Sequence, residues 1–168
     1  MEKTERAIVI FPKFENAKAI DQLRKQFDPL ASTIQPHITL VFPFIADFFI
    51  AELQVHVEQA IQDMRPFPVQ LQGITGSDGE YLFLNVKQGN DELIGLHDRL
   101  YSGVLKPYYS AANTYMPHLT VGRLSDPATF LPALEAARKV RKVFHATIEE
   151  VAIYRMGDSQ RIEATVKL

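Results

Sequence analysis

The sequence predicts an α+β fold of two similar lobes, each a small antiparallel sheet with helices outside, flanking a central cleft. Three observations carry this expectation. The phrase Pro36-His37-Ile38-Thr39-Leu40 returns 81 residues later as Pro117-His118-Leu119-Thr120-Val121. Around each copy the hydrophobic periodicity runs strand, helix, motif strand, helix, strand. Between the two runs, Gly73, Gly76, Asp78 and Gly79 mark a turn. It divides one domain over 1–168 into halves of roughly 6–76 and 80–168.

Arg6 to Pro12 is a short apolar run and reads as a buried strand. Asn16 to Phe27 reads as a helix with Ala19, Ile20, Leu23 and Phe27 on one stripe. The first motif strand spans His37 to Phe44. A second helix spans Ala46 to Met64, its apolar face made by Phe49, Leu53, Val57, Ala60, Ile61 and Met64, and Pro66 and Pro68 end it. Val69 to Thr75 is the next strand. The order then restarts with a strand at Tyr81 to Val86. A helix from Asp91 follows, burying Leu93, Leu96, Leu100 and Val104, and a loop covers Lys106 to Met116. The second motif strand is His118 to Leu124. Asp126-Pro127 opens a helix reaching about Val140, with proline near its start, where it is favoured. Strands at Ala146 to Met156 and Arg161 to Leu168 flank a turn at Gly157-Asp158-Ser159.

Composition narrows the function classes. A net charge of −2 offers no global attraction for nucleic acid. An RNA contact is therefore expected to be local, such as a terminus in a pocket, with no extended duplex surface. With no cysteine in the chain there is no thiolate nucleophile and no cysteine metal site. Charges in MEKTERAIVIFPKF fall where a signal peptide would be apolar, and no uncharged run is long enough to span a bilayer. A cytoplasmic, soluble protein without a membrane partner is the expectation; oligomeric state is open.

Five histidines and fifteen serines and threonines predict about 0.45 chance occurrences of His-x-Ser/Thr, and the chain has three. Side chains alternate along a strand. His37, Thr39 and Val41 thus share one face and His118, Thr120 and Gly122 another, while Ile38, Leu40, Phe42, Leu119 and Val121 turn into apolar packing. Each strand offers an imidazole beside a hydroxyl. Phosphodiester cleavage or cyclic-phosphate opening needs a base for the attacking oxygen and an acid for the leaving one. Histidine serves either role near neutrality. Two of them on opposite sides of one phosphorus suit an in-line displacement, and threonine hydroxyls can donate to the non-bridging oxygens. The scheme calls for no metal or other cofactor, and no metal-ligand spacing is seen.

The paired Pro-His-φ-Thr-φ motifs in a duplicated strand–helix pattern resemble the 2H phosphoesterase superfamily, which includes the LigT-like RNA 2′–5′ ligases and 2′,3′-cyclic nucleotide phosphodiesterases. The resemblance covers most of the chain in element order and is specific only at the motifs. It implies that His37 and His118 are the acid–base pair, that Thr39 and Thr120 bind phosphate, and that the site lies between two lobes. Leu100 to Leu105, before the second motif, is similar to a small bacterial branch of the superfamily. The expected enzyme is a metal-independent phosphoesterase acting on a 2′,3′-cyclic phosphate or 2′–5′ linkage of a nucleotide or RNA terminus. The alternative is a module that binds terminal or cyclic phosphates without turnover.

Other candidates carry two readings each. Arg123 could clamp phosphate, but strict alternation puts it opposite His118 unless Gly122 bends the strand. Gly122 itself either leaves room for a ligand or marks a bulge. Phe11, Tyr115 and Tyr154 could stack on a base or pack in the core. Lys106, Tyr108 and Tyr109 could form a lid or an ordinary exposed loop. His145-Ala146-Thr147 shares its face with Glu149, which would repel phosphate, and is read as structural. His56 is expected at the surface and His97 at the edge of a packed helix.

Overall fold

The computed structural model describes residues 3–112 and 114–168. Position 113, within the loop expected over 106–116, lies outside the described residues. In chain order the elements are β1 (Thr4–Ile10), α1 (Ala17–Phe27), β2 (Ile38–Ala46), α2 (Ile50–Ile61), β3 (Phe67–Ser77) and β4 (Tyr81–Gln88). They continue with α3 (Asn90–Leu100), a 3-10 helix (Gly103–Tyr108), β5 (His118–Arg123), α4 (Pro127–Ala137), β6 (Phe144–Ile148), β7 (Glu150–Arg155) and β8 (Arg161–Lys167).

The strands form one sheet in the order β6-β3-β4-β5-β2-β1-β7-β8, antiparallel throughout. The two small sheets expected from the sequence are thus one, symmetric in order about a seam between the motif strands. That seam is a single ladder pair, Ile38↔Leu119. Both side chains are fully buried, so the motif strands share one apolar layer and have reason to pair.

The strand expected at Ala146 to Met156 is two. Phe144–Ile148 pairs with β3 and Glu150–Arg155 with β1, joined by Glu149 alone. In a flat sheet those strands would stand about 29 Å apart, six spacings of about 4.8 Å. One connecting residue spans only about 7 Å. The sheet therefore curls until its β6 edge meets β7.

The helices pack on one face. α1 and α4 lie against β5 and β3, and α2 and α3 against β8 and β2, so the helix following the first strand of each half covers the motif strand of the other. Ile20, Leu23, Leu53, Leu93, Leu96 and Leu134 meet Ile8, Leu40, Leu84 and Val121 in this core. A smaller cluster on the opposite face joins Ala7, Val9, Ile34, Ala152 and Tyr154, with Phe11 and Met156 against it.

Some boundaries moved. The second helix begins at Ile50, because Ile45 and Ala46 remain in the ladder opposite Glu5 and Thr4. The Phe49 N–H, just before the helix, is held by Glu52 Oε2 at 2.8 Å. α3 stops at Leu100, and Gly103 at φ +48° turns the chain, leaving Val104 exposed. That turn also overturns the surface expectation for His56. Its ring packs beside Gly103 and its Nε2–H donates to the Leu100 carbonyl at 2.8 Å, in a buried position. At α4 the Asp126 carboxylate accepts from Ala128 N at 2.9 Å ahead of Pro127. Asp126→Ala should cost about 0.5–2 kcal/mol of stability. Thermal unfolding checks this, and an unchanged midpoint would show the cap to be dispensable.

Candidate active site at the seam

Each motif histidine is delivered by a pinned loop. Before His37, the buried Arg24 guanidinium organises residues 28–34. Its Nε donates to Asp28 Oδ2 at 2.8 Å, and its terminal nitrogens donate to the carbonyls of Ile34 (2.8 Å) and Leu30 (3.2 Å). Before His118, aromatic residues do the equivalent work. Tyr115 stacks on His97 (centroids 3.8 Å, planes 2° apart) and its hydroxyl donates to the Thr39 carbonyl at 2.8 Å. His97 Nδ1–H donates to the Leu40 carbonyl at 2.7 Å, and the Tyr101 hydroxyl accepts from Phe42 N at 3.0 Å. β2 and β5 pair at only one position, so these side chains satisfy the β2 backbone that the ladder leaves open. His97 is therefore buried rather than at a helix edge.

The Ile38↔Leu119 pair fixes the site. One residue to either side, antiparallel geometry sets His37 opposite Thr120 and Thr39 opposite His118. Ile38 and Leu119 point into the helix-covered core, so these four half-buried side chains point the other way. The two imidazoles are held alike. His37 Nδ1 lies 2.9 Å from the Gln35 carbonyl and His118 Nδ1 2.7 Å from the Met116 carbonyl, each two residues back. A carbonyl only accepts, so Nδ1 carries the proton in both rings and Nε2 is left for chemistry. Burial holds both pKa values below the ordinary 6.5, the carbonyl bonds oppose that shift, and His37 lowers His118 further.

Beside this row is a cleft of about 590 Å³ lined by Thr39, Thr120, His118, Phe83, Tyr81 and Phe42 among others. Phe42 and Val41 reverse the faces that alternation gives them, Val41 buried in the core and Phe42 exposed, because β2 bulges between Thr39 and Val41. His37, across from Thr120 in the row, is not among the residues lining the cleft and lies edge-on to Phe11 (centroids 6.0 Å). Phe83 stacks on the His118 ring (3.7 Å, 25°) and Tyr81 continues the column (5.9 Å). Neither aromatic of β4 was singled out in the sequence. Period-two alternation puts Tyr81, Phe83 and Asn85 on one face but does not say with which strand they pair.

Gly122 and Arg123 exchange the faces that simple alternation gives them. The ladder runs Phe83↔Thr120 and then Leu82↔Gly122, a bulge at Val121–Gly122. Gly122 turns into the core, where a Cβ would come within 2.9 Å of Leu82 and Phe27, so it makes no room for a ligand. Arg123 returns to the side of His118, its guanidinium 5.4 Å from the Tyr81 ring centre and ion-paired with Glu80. It sits at the rim, about 13–16 Å along the strand from His118. Tyr154 is buried in the smaller apolar cluster. Tyr108 packs on Phe44 and Phe48. Tyr109 is exposed beside Tyr101, and Lys106 is exposed. His145 and Thr147 are exposed on β6, in a separate concavity with Lys13. Among the described residues no cluster of three or more His, Asp or Glu side chains could hold a metal ion, and no helix is long and apolar enough to cross a membrane.

The fold is that of the LigT-like proteins. The chain belongs to the 2′-5′ RNA ligase superfamily, whose family model matches residues 12–160. It is 31% identical over 124 residues to a protein of Bacillus licheniformis named "Putative phosphoesterase", covering 71% of each chain. To a protein of the same name from Geobacillus thermodenitrificans it is 28% identical over 147 residues, covering 84% of this chain and 82% of the relative. The fold matches Escherichia coli LigT complexed with 3′-AMP, with TM-score 0.61 and 15% identity over 99% of this chain and 96% of that one. It also matches a Thermus thermophilus protein, with TM-score 0.63 and 16% identity over 98% and 97%.

Proposed function

We propose that this protein is a phosphoesterase that opens 2′,3′-cyclic phosphates, or cleaves 2′–5′ phosphodiesters, of nucleotides or RNA termini by two-histidine acid–base catalysis. One observation carries the reading. Both imidazoles spend Nδ1–H on a carbonyl two residues back and keep Nε2 free, on a sheet face that also bears Thr39 and Thr120. One neutral Nε2 takes a proton from water as the oxygen attacks phosphorus. The other, protonated, delivers its proton to the ribose oxygen as that P–O bond breaks, leaving a phosphomonoester and a free hydroxyl. The threonine hydroxyls donate to the non-bridging oxygens. Which histidine acts first depends on how the substrate lies, and the roles exchange in the reverse, ligating direction. Arg123, at the rim and paired with Glu80, is suited to a group beyond the reacting phosphate.

The test is hydrolysis of 2′,3′-cyclic nucleotides in EDTA across pH. Activity needs one imidazole charged and one neutral. Both pKa values are lowered, so kcat/KM should trace a bell with its maximum on the acid side of 6.5. As pH rises past the upper value the acid is lost; as it falls past the lower value the base is lost. A maximum on the alkaline side, or a profile with one ionisation, would exclude the two-histidine scheme. EDTA-abolished turnover would exclude the metal-independent one.

A further inference from the structure

Charge is distributed unevenly around the cleft. At one end is the β3–β4 hairpin tip. Asp78, at φ +55° with the Ser77 hydroxyl donating to its Oδ2 at 2.9 Å, lines the cleft, and Glu80 neutralises Arg123. Among the described residues no lysine or arginine lines the cleft itself. A second phosphate would meet the Asp78 carboxylate there, with the Arg123 charge already balanced.

The opposite direction differs. Asn85 is the ladder partner of His118, and its Oδ1 accepts the Thr75 hydroxyl at 2.8 Å. That leaves its Nδ2 turned toward Gly73, where a Cβ would lie 3.9 Å away. Gly73, at φ +78°, opens without a side chain into a groove of about 430 Å³ whose walls include Gln72, Lys87, Arg138 and Arg141. Lys87 shares the sheet face of Phe83 and Asn85, because Leu82, Leu84 and Val86 alternate into the core. Arg138, Lys139, Arg141 and Lys142 follow α4 in one run of five residues. Arg138 Nε, donating to the Ile74 carbonyl at 3.3 Å, ties that run to β3. None of these five cations takes part in an ion pair among the described residues. A second groove, of about 340 Å³, continues between Lys139, Arg141 and Lys142 and the Gln22 and Gln26 side chains of α1.

We infer that a single-stranded polynucleotide bearing the reacting phosphate leaves the cleft past Asn85 and Gly73 and lies along Lys87, Arg138 and Arg141. The inference rests on the phosphoesterase reading and names its substrate as an RNA strand rather than a free mononucleotide. The groove begins about two strand spacings, or about 10 Å, from His118, within reach of phosphates on the same strand. Its walls set the Gln72 amide and the Lys87, Arg138 and Arg141 cations around apolar surface in a shallow, open groove, with Ile74 buried and Val140 half-buried. Its continuity with the cleft that would hold the reacting phosphate favours a polynucleotide strand over a lipid surface. Asp78 sets the direction by repelling the strand from the other end, where the Arg123–Glu80 pair offers no net positive charge. The small negative net charge of the whole chain conceals this local track.

The test uses a fluorescent ten-nucleotide RNA ending in a 3′-phosphate, which the enzyme cannot cleave as a cyclic ester. Its binding by anisotropy is followed against salt for wild type and for Lys87→Gln/Arg141→Gln. Both residues are exposed, and an unchanged melting temperature confirms folding. Losing two phosphate contacts should weaken binding about tenfold and reduce the slope of log K against log salt by about 1.4. Turnover of a mononucleoside 2′,3′-cyclic phosphate should not change, while kcat/KM for the cyclic-phosphate-ended ten-mer falls about tenfold. Equal ten-mer binding by variant and wild type, or equal losses on both substrates, would overturn the track. So would binding to phosphatidylserine vesicles without binding to RNA. If neither substrate is turned over but salt-dependent RNA binding still depends on Lys87 and Arg141, the track stands and the catalytic reading falls.

Discussion

His37→Ala and His118→Ala should each lower kcat for a 2′,3′-cyclic nucleotide by about 10²–10⁴-fold, the usual share of a positioned acid or base. Each imidazole is anchored at Nδ1 and supplies one Nε2, and no other histidine reaches the row: His56 and His97 are committed to backbone carbonyls and His145 lies on β6. On the proposed scheme KM should move far less, because Thr39 and Thr120 would still hold the phosphate. The double variant should be scarcely worse than either single one, since acid and base act as a unit. Stability should change little, both rings being half-buried on the face away from the helices. Steady-state kinetics on the three proteins decide the matter. Losses below tenfold in both single variants would remove the histidines from the chemistry.

Leu119→Ala addresses the scaffold and should destabilise the protein by about 2–5 kcal/mol. Leu119 is fully buried, pairs with Leu84 on one side and is the sole β5 partner of β2 on the other. The cavity would therefore open at the joint between the two halves of the sheet, where helices from both sides converge. For a chain of this length that corresponds to a fall of roughly 4–20 °C in melting temperature. Because His118 and Thr120 flank it, turnover should fall even below the unfolding range. Leu30→Ala, 47% exposed, is the control and should stay within about 0.5 kcal/mol. A Leu119→Ala loss below about 1 kcal/mol would mean that the seam relaxes and does not fix the site.

The order of elements and the four motif residues could be read from the sequence because local signals specify them. Apolar periods of two and 3.6 residues locate the strands and helices, and a repeated phrase stands out against chance. What could not be read depends on partners distant in the chain. Gly122 and Arg123 trade faces through a bulge that exists only because β5 pairs with β4. Phe83 is an ordinary strand aromatic until that register stacks it on His118. Arg24 reads as a polar residue in an amphipathic helix, yet it is almost wholly buried and collects the carbonyls of the loop that delivers His37. His56 followed the same logic in reverse, placed outside by helical periodicity and drawn in by the space beside Gly103. Nor does alternation reveal that a run of apolar residues will break at Glu149 and serve two ends of one sheet.

That crossing has a consequence for how the molecule comes to exist. β3, from the first half of the chain, sits between β4 and β6 of the second, while β7 and β8 of the second half extend the ladder of β1. Each half lends strands to the other, so a chain severed at Gly79 would yield two fragments, neither able to complete a sheet. The ladder pairs joining β1 to β7 are among the most distant in sequence and close only when nearly the whole polypeptide is present. Folding should accordingly be slow for a protein of this size. Catalytic competence would arrive all at once, with no half-site stage at which one histidine strand could be kept while the other decayed.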